Sequence, residues 1–295
     1  MSPLRRKLYQ LPTSRRESSA ERSQHPISGT DPETCVPDGT RASAETQPDA
    51  TRYDATAEPG KLEHGPMATF TGFGGDTLGF LEGLASNNNR DWFGEHKGEY
   101  EALVLEPALD FITAMGPVLA NISDCFEAIP KRQGGSLMRV YRDTRFSKDK
   151  TPYKTNIGIQ FRHQAGKDVH APGYYLHIDP DQVFLGVGMW RPDGPSLANI
   201  RQAIDESPET WKKATGARGL RKRFEFQGES LKRPPRGYPQ DHPLLEDLKR
   251  KDFIAVTSLT REEVADPALP KALVKILKPT AAYMAFLCTA VGQPF

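Results

Sequence analysis

The sequence predicts an α+β fold, in which an antiparallel sheet of about four to five strands is packed by helices from both its N- and C-terminal sides. Apolar residues recur at helical spacing up to about residue 123, alternate at strand spacing between about 137 and 190, and return to helical spacing after Pro192. The predicted strands are joined by short turns, which connect antiparallel neighbours. Helices, then strands, then helices is the order typical of this fold class.

The N-terminal part of the domain is predicted to be helical. Its first apolar face ends at the polar run Ser86–Asn87–Asn88–Asn89, which also supplies an Asn to cap the next helix. A proline in the first turn of the third helix is acceptable, because its missing N–H has no partner there. The three predicted helices span residues 77–86, 90–105 and 106–123.

Strands are predicted where residues alternate or where β-branched and aromatic residues follow one another. They span residues 137–146, 156–162, 173–178 and 182–190. The helical period then returns over residues 196–205, 209–218, 242–251, 261–264, 271–277 and 280–291.

The first 66 residues are predicted to be a disordered leader before a single α+β domain over residues 67–295. All 14 Phe and all 3 Trp lie after position 67, and the apolar residues of the leader follow no helical or strand period. Such a segment buries too little apolar area to offset its loss of backbone entropy. A second hypothesis is that translation starts at Met67, directly before the first well-patterned segment.

Composition limits the classes of function. The 295-residue chain has a formal charge of +1, so no overall positive field attracts nucleic acid or an anionic membrane. Its longest apolar tract is shorter than the roughly 20 residues that cross a bilayer. Three widely separated cysteines fit a reducing compartment and not a disulfide framework. The prediction is a soluble, cytoplasmic protein.

Positively charged residues are concentrated in residues 131–154, which we call the cationic segment. It contains eight Lys or Arg and two Asp, a local charge of +6. Guanidinium groups at alternate strand positions are forked donors suited to carboxylate or phosphate. We predict an anion site lined by Tyr153 and His177 and formed by Arg139, Arg142, Arg145, Lys148, Lys150 and Lys154. The alternative is that these cations pair with carboxylates of the flanking helices.

Five longer motifs carry a family resemblance. They are NNNRDWF, YRDTRFSKDKTPYKTNIG, PGYYLHIDP, FLGVGMWRPD and LKRPPRGYPQDHPLLEDLKRKDF. From Phe70 to about Ile254 the chain resembles the largely bacterial family called domain of unknown function 2461. The resemblance implies a single intracellular domain that begins near Met67, and it supplies no activity and no catalytic residues.

Two further features bear on the predicted site. His177 is a candidate general acid or base, because it lies mid-strand near the cationic segment; the alternative is a hydrogen-bonded structural role. Gly158, Gly186 and Gly188 leave part of one sheet face without side chains, which a ligand or a helix could approach closely. His163, His170 and His177 have no spacing typical of metal ligands, and neither a metal nor a cofactor is predicted.

A basic, proline-rich stretch is a candidate lid over a bound ligand, or else a linker between helices. Its residues are Lys232, Arg233, Arg236 and Tyr238.

The leading functional hypothesis is a domain that binds a small anionic, phosphate-bearing ligand. One alternative is binding of single-stranded nucleic acid, because aromatic residues are interleaved with the cations. Another is a protein-interaction scaffold whose cations form internal ion pairs. The sequence does not decide whether the protein is an enzyme or what its oligomeric state is. The interleaved aromatic residues are Tyr141, Phe146, Tyr153, Tyr174 and Tyr175.

Overall fold

A five-stranded antiparallel sheet organises the structure, a computed structural model that describes residues 69–166 and 170–295. The strands lie in the order β1-β2-β3-β5-β4, which confirms the α+β prediction. The predicted leader, residues 1–66, and the hypothesised start at Met67 lie outside the described residues. The strands are β1 (Ile157–Arg162), β2 (Gly173–Ile178), β3 (Val183–Met189), β4 (Glu225–Gln227) and β5 (Phe253–Leu259).

Helices come from both sides of the strand region, as predicted. Before the sheet are α1 (Gly75–Ser86), α2 (Arg90–Glu95), α3 (Lys97–Tyr100), a π-helical turn (Glu101–Leu105) and α4 (Glu106–Ala120). After β3 come α5 (Gly194–Glu206), α6 (Pro208–Gly216), α7 (Arg218–Arg223), α8 (Leu245–Leu248), α9 (Arg261–Ala265), α10 (Leu269–Leu277), a 3₁₀ turn (Lys278–Thr280) and α11 (Ala281–Ala290).

Side-chain caps explain where several helices begin. Asn89 accepts a hydrogen bond from the backbone N–H of Trp92 (2.9 Å), so the predicted Asn cap opens α2. Thr260 and Glu263 form a reciprocal capping box at the start of α9. Each cap satisfies backbone N–H groups that have no partner inside the helix.

One face of the sheet forms the main core with the helices. In β2 the residues at alternate positions, Tyr174, Leu176 and Ile178, are fully buried in the same cluster as Phe111 of α4 and Leu273 of α10. Burying one large apolar side chain contributes about 1.5–3 kcal/mol, so this shared cluster holds the two groups of helices against the sheet.

The opposite face of the sheet carries polar side chains next to a smaller group of apolar ones. Phe184, Ile254 and Val256 form a small, separate apolar cluster there. Because successive strand residues point to opposite faces, Tyr175 and His177 lie on this second face, next to those apolar residues.

The prediction of a regular strand over residues 137–146 is wrong. This stretch makes only isolated bridges, Leu137 to Ile159 of β1 and Tyr141 to Tyr153. After a few residues it leaves the edge of β1, and it then pairs with the chain near Tyr153 that follows it. Pro152 has no N–H to donate there, so no regular ladder forms.

The sequence-based prediction also missed β4 and β5 and made one helix too long. In β5 six of seven residues are buried, so this strand lacks the alternation that marks a half-exposed strand. The helix predicted over residues 242–251 is only α8, because Arg250 already bridges to Ser230.

Two helical runs, Lys97–Ala120 and Leu269–Ala290, are long and apolar enough to cross a membrane by length and composition alone. Their most apolar stretches are 44% and 50% buried inside the protein. Met115 in the first run and Met284 in the second are fully buried core residues. Both runs therefore contribute side chains to the core of the α+β domain.

Candidate anion-binding site

The cationic segment begins along the outer edge of β1. Gln160 donates its backbone N–H to the carbonyl of Ser136 (2.8 Å), and Met138 donates to that of Gly158 (2.9 Å). Further along, Lys154 donates its backbone N–H to the carbonyl of Val140 (2.7 Å), so the later part of the segment folds back and pairs with the earlier part. The loop between these paired parts, residues 143–151, is largely exposed to solvent.

A cavity of about 360 Å³ lies where the cationic segment meets β1. Arg139 and Arg162 both contribute to its lining, and none of its lining residues is acidic. Neither arginine has an ion pair within residues 69–166 and 170–295. The cavity therefore brings two arginines together without an acidic residue in its lining, although the charge of Asp143 acts on Arg139 from outside the cavity. Its other polar lining residues include Gln133, Ser136, Tyr141 and Gln160.

A glycine-bearing loop closes one side of the cavity. Gly134 has a φ of +71°, a conformation that favours glycine. A side chain at Gly135 would collide with the carbonyl oxygen of Ile129. Ser136 accepts the backbone N–H of Ile129 (3.0 Å) through its hydroxyl, which also donates to the carbonyl of Glu127 (3.3 Å). The loop is thus held close against the preceding chain.

Lys154 adds a partly buried positive charge near Arg139. Burial, and to a smaller extent the like charge of Arg139, together lower the pKa of Lys154 to about 8. In the part of the chain that the structure describes, the ammonium group has no ion pair or side-chain hydrogen bond. A bound anion would supply the missing negative charge.

Two of the predicted anion-binding arginines are paired within the exposed loop. Arg142 contacts Asp149 (Nη1 to Oδ2, 2.6 Å) and the hydroxyl of Thr151. Arg145 makes a two-pronged contact with Asp143, at 3.0 and 2.7 Å. The partners are aspartates of the cationic segment itself and not, as the alternative prediction had it, carboxylates of the flanking helices.

Both loop carboxylates reflect this pairing. The hydrogen bond from Arg145 lowers the pKa of Asp143 to about 2. The pKa of Asp149 is also lowered to about 2, first by the backbone N–H of Thr151 and then by Arg142. The two aspartates are therefore ionised at neutral pH and hold the loop arginines.

The remaining predicted residues have different surroundings. Lys150 donates to the carbonyl of Thr144 (2.8 Å), whereas the exposed Lys148 has no ion pair among the described residues. Tyr153 is buried and stacks on Phe93 (ring centroids 4.1 Å apart), so it supports the cationic segment from behind and does not line the cavity.

His177 lies in a chain of hydrogen bonds on the second face of the sheet. Its Nε2 is 2.8 Å from Oδ2 of Asp179, which can only accept, so Nε2 carries the proton. Nδ1 is then the acceptor for the hydroxyl of Tyr175 (3.1 Å), and Asn156 approaches the same nitrogen at 3.5 Å. Burial and the charge of Asp179 raise the pKa of Tyr175 well above its ordinary value.

Asp179 is oriented by the turn that follows β2. Its Oδ1 accepts the backbone N–H groups of Asp181 (2.8 Å) and Gln182 (2.9 Å), and the residue is 4% exposed. The ring of His177 stacks on Phe184 (4.6 Å, 12°). His177 is therefore held from two sides in one orientation.

The three glycines of the second face have separate roles. A Cβ at Gly158 would lie 2.9 Å from the Tyr175 hydroxyl and 3.2 Å from Sδ of Met138, so these side chains occupy the space above it. Gly188 has a φ of +120° and sits against the carbonyl of Phe253. At Gly186 a Cβ would make only ordinary contacts.

The candidate lid is placed away from the cationic segment. Ser230, just before it, bridges to Arg250 beside β4 and β5, and Leu231 donates to the carbonyl of Lys249 (2.7 Å). The cationic segment flanks β1, four strand spacings from β4, or roughly 19 Å. The structure therefore does not bring the two together. Lys232, Arg233 and Arg236 are exposed, and Tyr238 is partly buried against the core.

The three histidines considered as metal ligands have separate partners. His163 contacts the carbonyl of Pro294 (2.8 Å), and His170 contacts that of Trp190 (3.0 Å), whereas His177 contacts Asp179. Over residues 69–166 and 170–295, no group of three or more His, Cys, Asp or Glu side chains is placed to hold a metal ion.

Sequence reasoning missed several residues of the cavity. Gln160 and Arg162 share the strand face of Gly158, so the side to which they point could be predicted from strand alternation. Nothing in the sequence indicated that Arg139 would lie at the same cavity. Gln133 and the glycine-bearing loop carried no recognised motif. The structure brings these residues together because the cationic segment lies along the edge of β1.

Residues 76–286 match a family model described as "Conserved hypothetical protein (DUF2461)". The chain belongs to this family. The match spans the whole sheet and both cavity arginines, so the candidate site lies within the family's domain, and the predicted resemblance is confirmed. A search of curated proteins gave no match, and neither did a search of solved structures.

Proposed function

We propose that this member of the family binds a small anionic, phosphate-bearing ligand in the cavity between the cationic segment and β1. The observation that carries the proposal is that Arg139 and Arg162 line one cavity that has no acidic lining residue. Two guanidinium groups present forked donors to phosphate oxygens, and the charged hydrogen bonds they form are stronger than neutral ones.

The size and surroundings of the cavity support the same function. Its volume, about 360 Å³, lies within the range of about 300–1,000 Å³ that is typical of small-molecule sites. Lys154 adds a partly buried positive charge beside Arg139. Burying this charge destabilises the folded protein, and a bound anion would reduce that destabilisation. A cytoplasmic location is part of the proposal and is supported by the free thiols of Cys125 and Cys288.

Proton transfer is the reaction chemistry that His177 would add. The Asp179–His177–Tyr175 chain holds the imidazole in one tautomer, with the phenol of Tyr175 as a neighbouring proton donor, whereas His177 itself is buried and does not line the cavity. The role of His177 as general acid or base stays a prediction, and so does the question whether the protein is an enzyme.

Binding of single-stranded nucleic acid is a second candidate, favoured by one observation. Phe146 is 95% exposed at the tip of the loop, with the Arg145 guanidinium 5.8 Å from its ring centroid. Exposed aromatic rings among cations are what bases stack on. Steep salt dependence would separate this function from binding of a small ligand, because a strand contacts several cations at once.

Calorimetric titration of the full chain with inorganic phosphate and ribose 5-phosphate, at low and high salt, tests the proposed function. Arg139→Gln and Arg162→Gln are each expected to weaken binding at least tenfold. Arg132→Gln is the matched control, because it removes the same charge from the cationic segment at an exposed pair with Glu101. If all three variants bind like the wild type, or if the wild type binds neither compound, the proposal is wrong.

A further inference from the structure

The cavity contains an aromatic side chain that a phosphate alone would not use. We infer that the phosphate-bearing ligand is a nucleotide, whose base stacks on Tyr141 while its phosphate lies between Arg139 and Arg162. This inference rests on the proposed function and specifies its ligand class.

Tyr141 presents its ring at the cavity although it has aromatic neighbours to pack against. It lines the cavity and is 55% exposed. On the protein side, its ring lies near Tyr153 (5.5 Å) and Phe93 (6.3 Å). Those rings hold Tyr141 in place without covering it. A nucleobase would bury the exposed area by stacking, as aromatic platforms do in nucleic-acid-binding proteins.

The backbone around Tyr141 is also held. Tyr141 bridges to Tyr153, and Arg142 donates its backbone N–H to the carbonyl of Pro152 (2.8 Å). Asn88 in turn binds both backbone groups of Tyr153, each at 3.0 Å. The ring therefore needs little ordering when a ligand binds, which lowers the entropic cost of binding.

The distance between the cationic and aromatic groups suits one nucleotide. Arg139 and Tyr141 are two residues apart with a bend at Val140 between them, so their Cα atoms are at most about 7 Å apart. Both side chains line the cavity. Because a ribose ring joins a phosphate to a base over only a few ångströms, one nucleotide is of a size to contact both side chains.

The other polar lining residues suit the remainder of a nucleotide. The amides of Gln133 and Gln160 each combine an acceptor oxygen with an NH₂ donor. Such amides match both the polar edge of a base and the ribose hydroxyls. Inorganic phosphate or a simple sugar phosphate would leave Tyr141 without a stacking partner.

Calorimetric titration of the full chain with ribose 5-phosphate and with the four nucleoside 5′-monophosphates tests this inference. At least one monophosphate is expected to bind about 5- to 150-fold more tightly than ribose 5-phosphate, the gain typical of one base–aromatic stack. Tyr141→Ala should abolish this gain and leave the affinity for ribose 5-phosphate within twofold. Tyr141→Phe keeps the stacking surface and should retain the gain, which also excludes an effect of misfolding.

Two further results distinguish failure of the inference from failure of the proposed function. If Arg162→Gln weakens binding of phosphate compounds but the monophosphates bind no more tightly than ribose 5-phosphate, the nucleotide assignment is wrong and the proposed function stands. If no phosphate compound binds, both are wrong. A short single-stranded oligonucleotide is titrated in the same way. Binding that depends on Tyr141 and also on Phe146 supports the same base stacking and identifies the nucleotide as part of a strand.

Discussion

The hydroxyl of Tyr175 lies 3.1 Å from Nδ1 of His177, in the space left by the missing side chain of Gly158. Gly158 and His177 face each other in the β1–β2 register, whereas Tyr175 is the partner of Gln160. Any side chain at position 158 would meet the tyrosine hydroxyl. A strand glycine is thus part of the arrangement that orients a candidate catalytic histidine.

Gly158→Ala is therefore expected to lower the free energy of unfolding by about 1–3 kcal/mol, the range for overpacking a filled site. The added methyl would lie 2.9 Å from the Tyr175 hydroxyl and 3.2 Å from Met138. Denaturant unfolding measures the change. Gly186→Ala is the matched control, because a Cβ there comes no closer than 3.9 Å to its neighbours. This control should be neutral or stabilising by roughly 0.5–1 kcal/mol; equal losses in the two variants would contradict the packing argument.

Asp179→Asn is expected to destabilise the protein by about 1.5–3 kcal/mol, the range for hydrogen bonds to a charged group. The buried carboxylate accepts two backbone N–H groups and the imidazole of His177. Thermal and denaturant unfolding at neutral pH measure the loss. Asp266→Asn is the control: Asp266 accepts the backbone N–H of Ala268 (2.8 Å) at an exposed site, so a change below about 0.5 kcal/mol is expected.

Lys154 should produce a pH-dependent contribution to stability. Its pKa is lowered from 10.5 to about 8 in the folded protein, so between these values the unfolded chain binds more protons. Stability therefore rises with pH through this window, and below pH 8 the charged lysine destabilises the folded state by about 3 kcal/mol. Lys154→Met removes this cost and should be more stable than the wild type at pH 7, with the advantage disappearing near pH 10.5.

Unfolding from pH 7 to 10.5, in buffers without phosphate or sulfate, tests this expectation. Lys148→Met serves as the control, because it removes an exposed lysine from the same segment. A stability difference between wild type and Lys154→Met that is the same at every pH would rule out the proposed buried charge. Added phosphate should reduce the difference at pH 7, since a bound anion stabilises the charged form of Lys154.

Asn88→Ala is expected to weaken both folding and phosphate binding. The Asn88 amide donates to the carbonyl of Tyr153 and accepts its N–H, which ties the α1–α2 connection to the cationic segment. Loss of two such bonds costs about 1–3 kcal/mol. Asn87→Ala removes a bond within the exposed end of α1 and should leave phosphate affinity unchanged. Urea unfolding and calorimetry together decide whether Asn88 holds the segment in its binding position.

Local pattern alone predicted a large part of the fold. The strands predicted over residues 156–162, 173–178 and 182–190 correspond to β1, β2 and β3 with end shifts of at most one residue. Their alternation arises from the strand itself, since neighbouring side chains point to opposite faces. The start of α2 was predictable for the same reason, because a cap acts within one turn of the chain.

The candidate site was decided by tertiary structure. The sequence concentrated cations in residues 131–154, but only the fold showed that Arg142 and Arg145 pair inside the exposed loop. It also brought Arg162, 23 positions away in the chain, to the same cavity as Arg139. Charge density is a local property, whereas pairing, burial and convergence depend on which distant residues the sheet places side by side. The sequence by itself determined the family, the strands β1 to β3, most of the helices and the supply of cations. The packing of the segment along β1 determined which of those cations share one cavity.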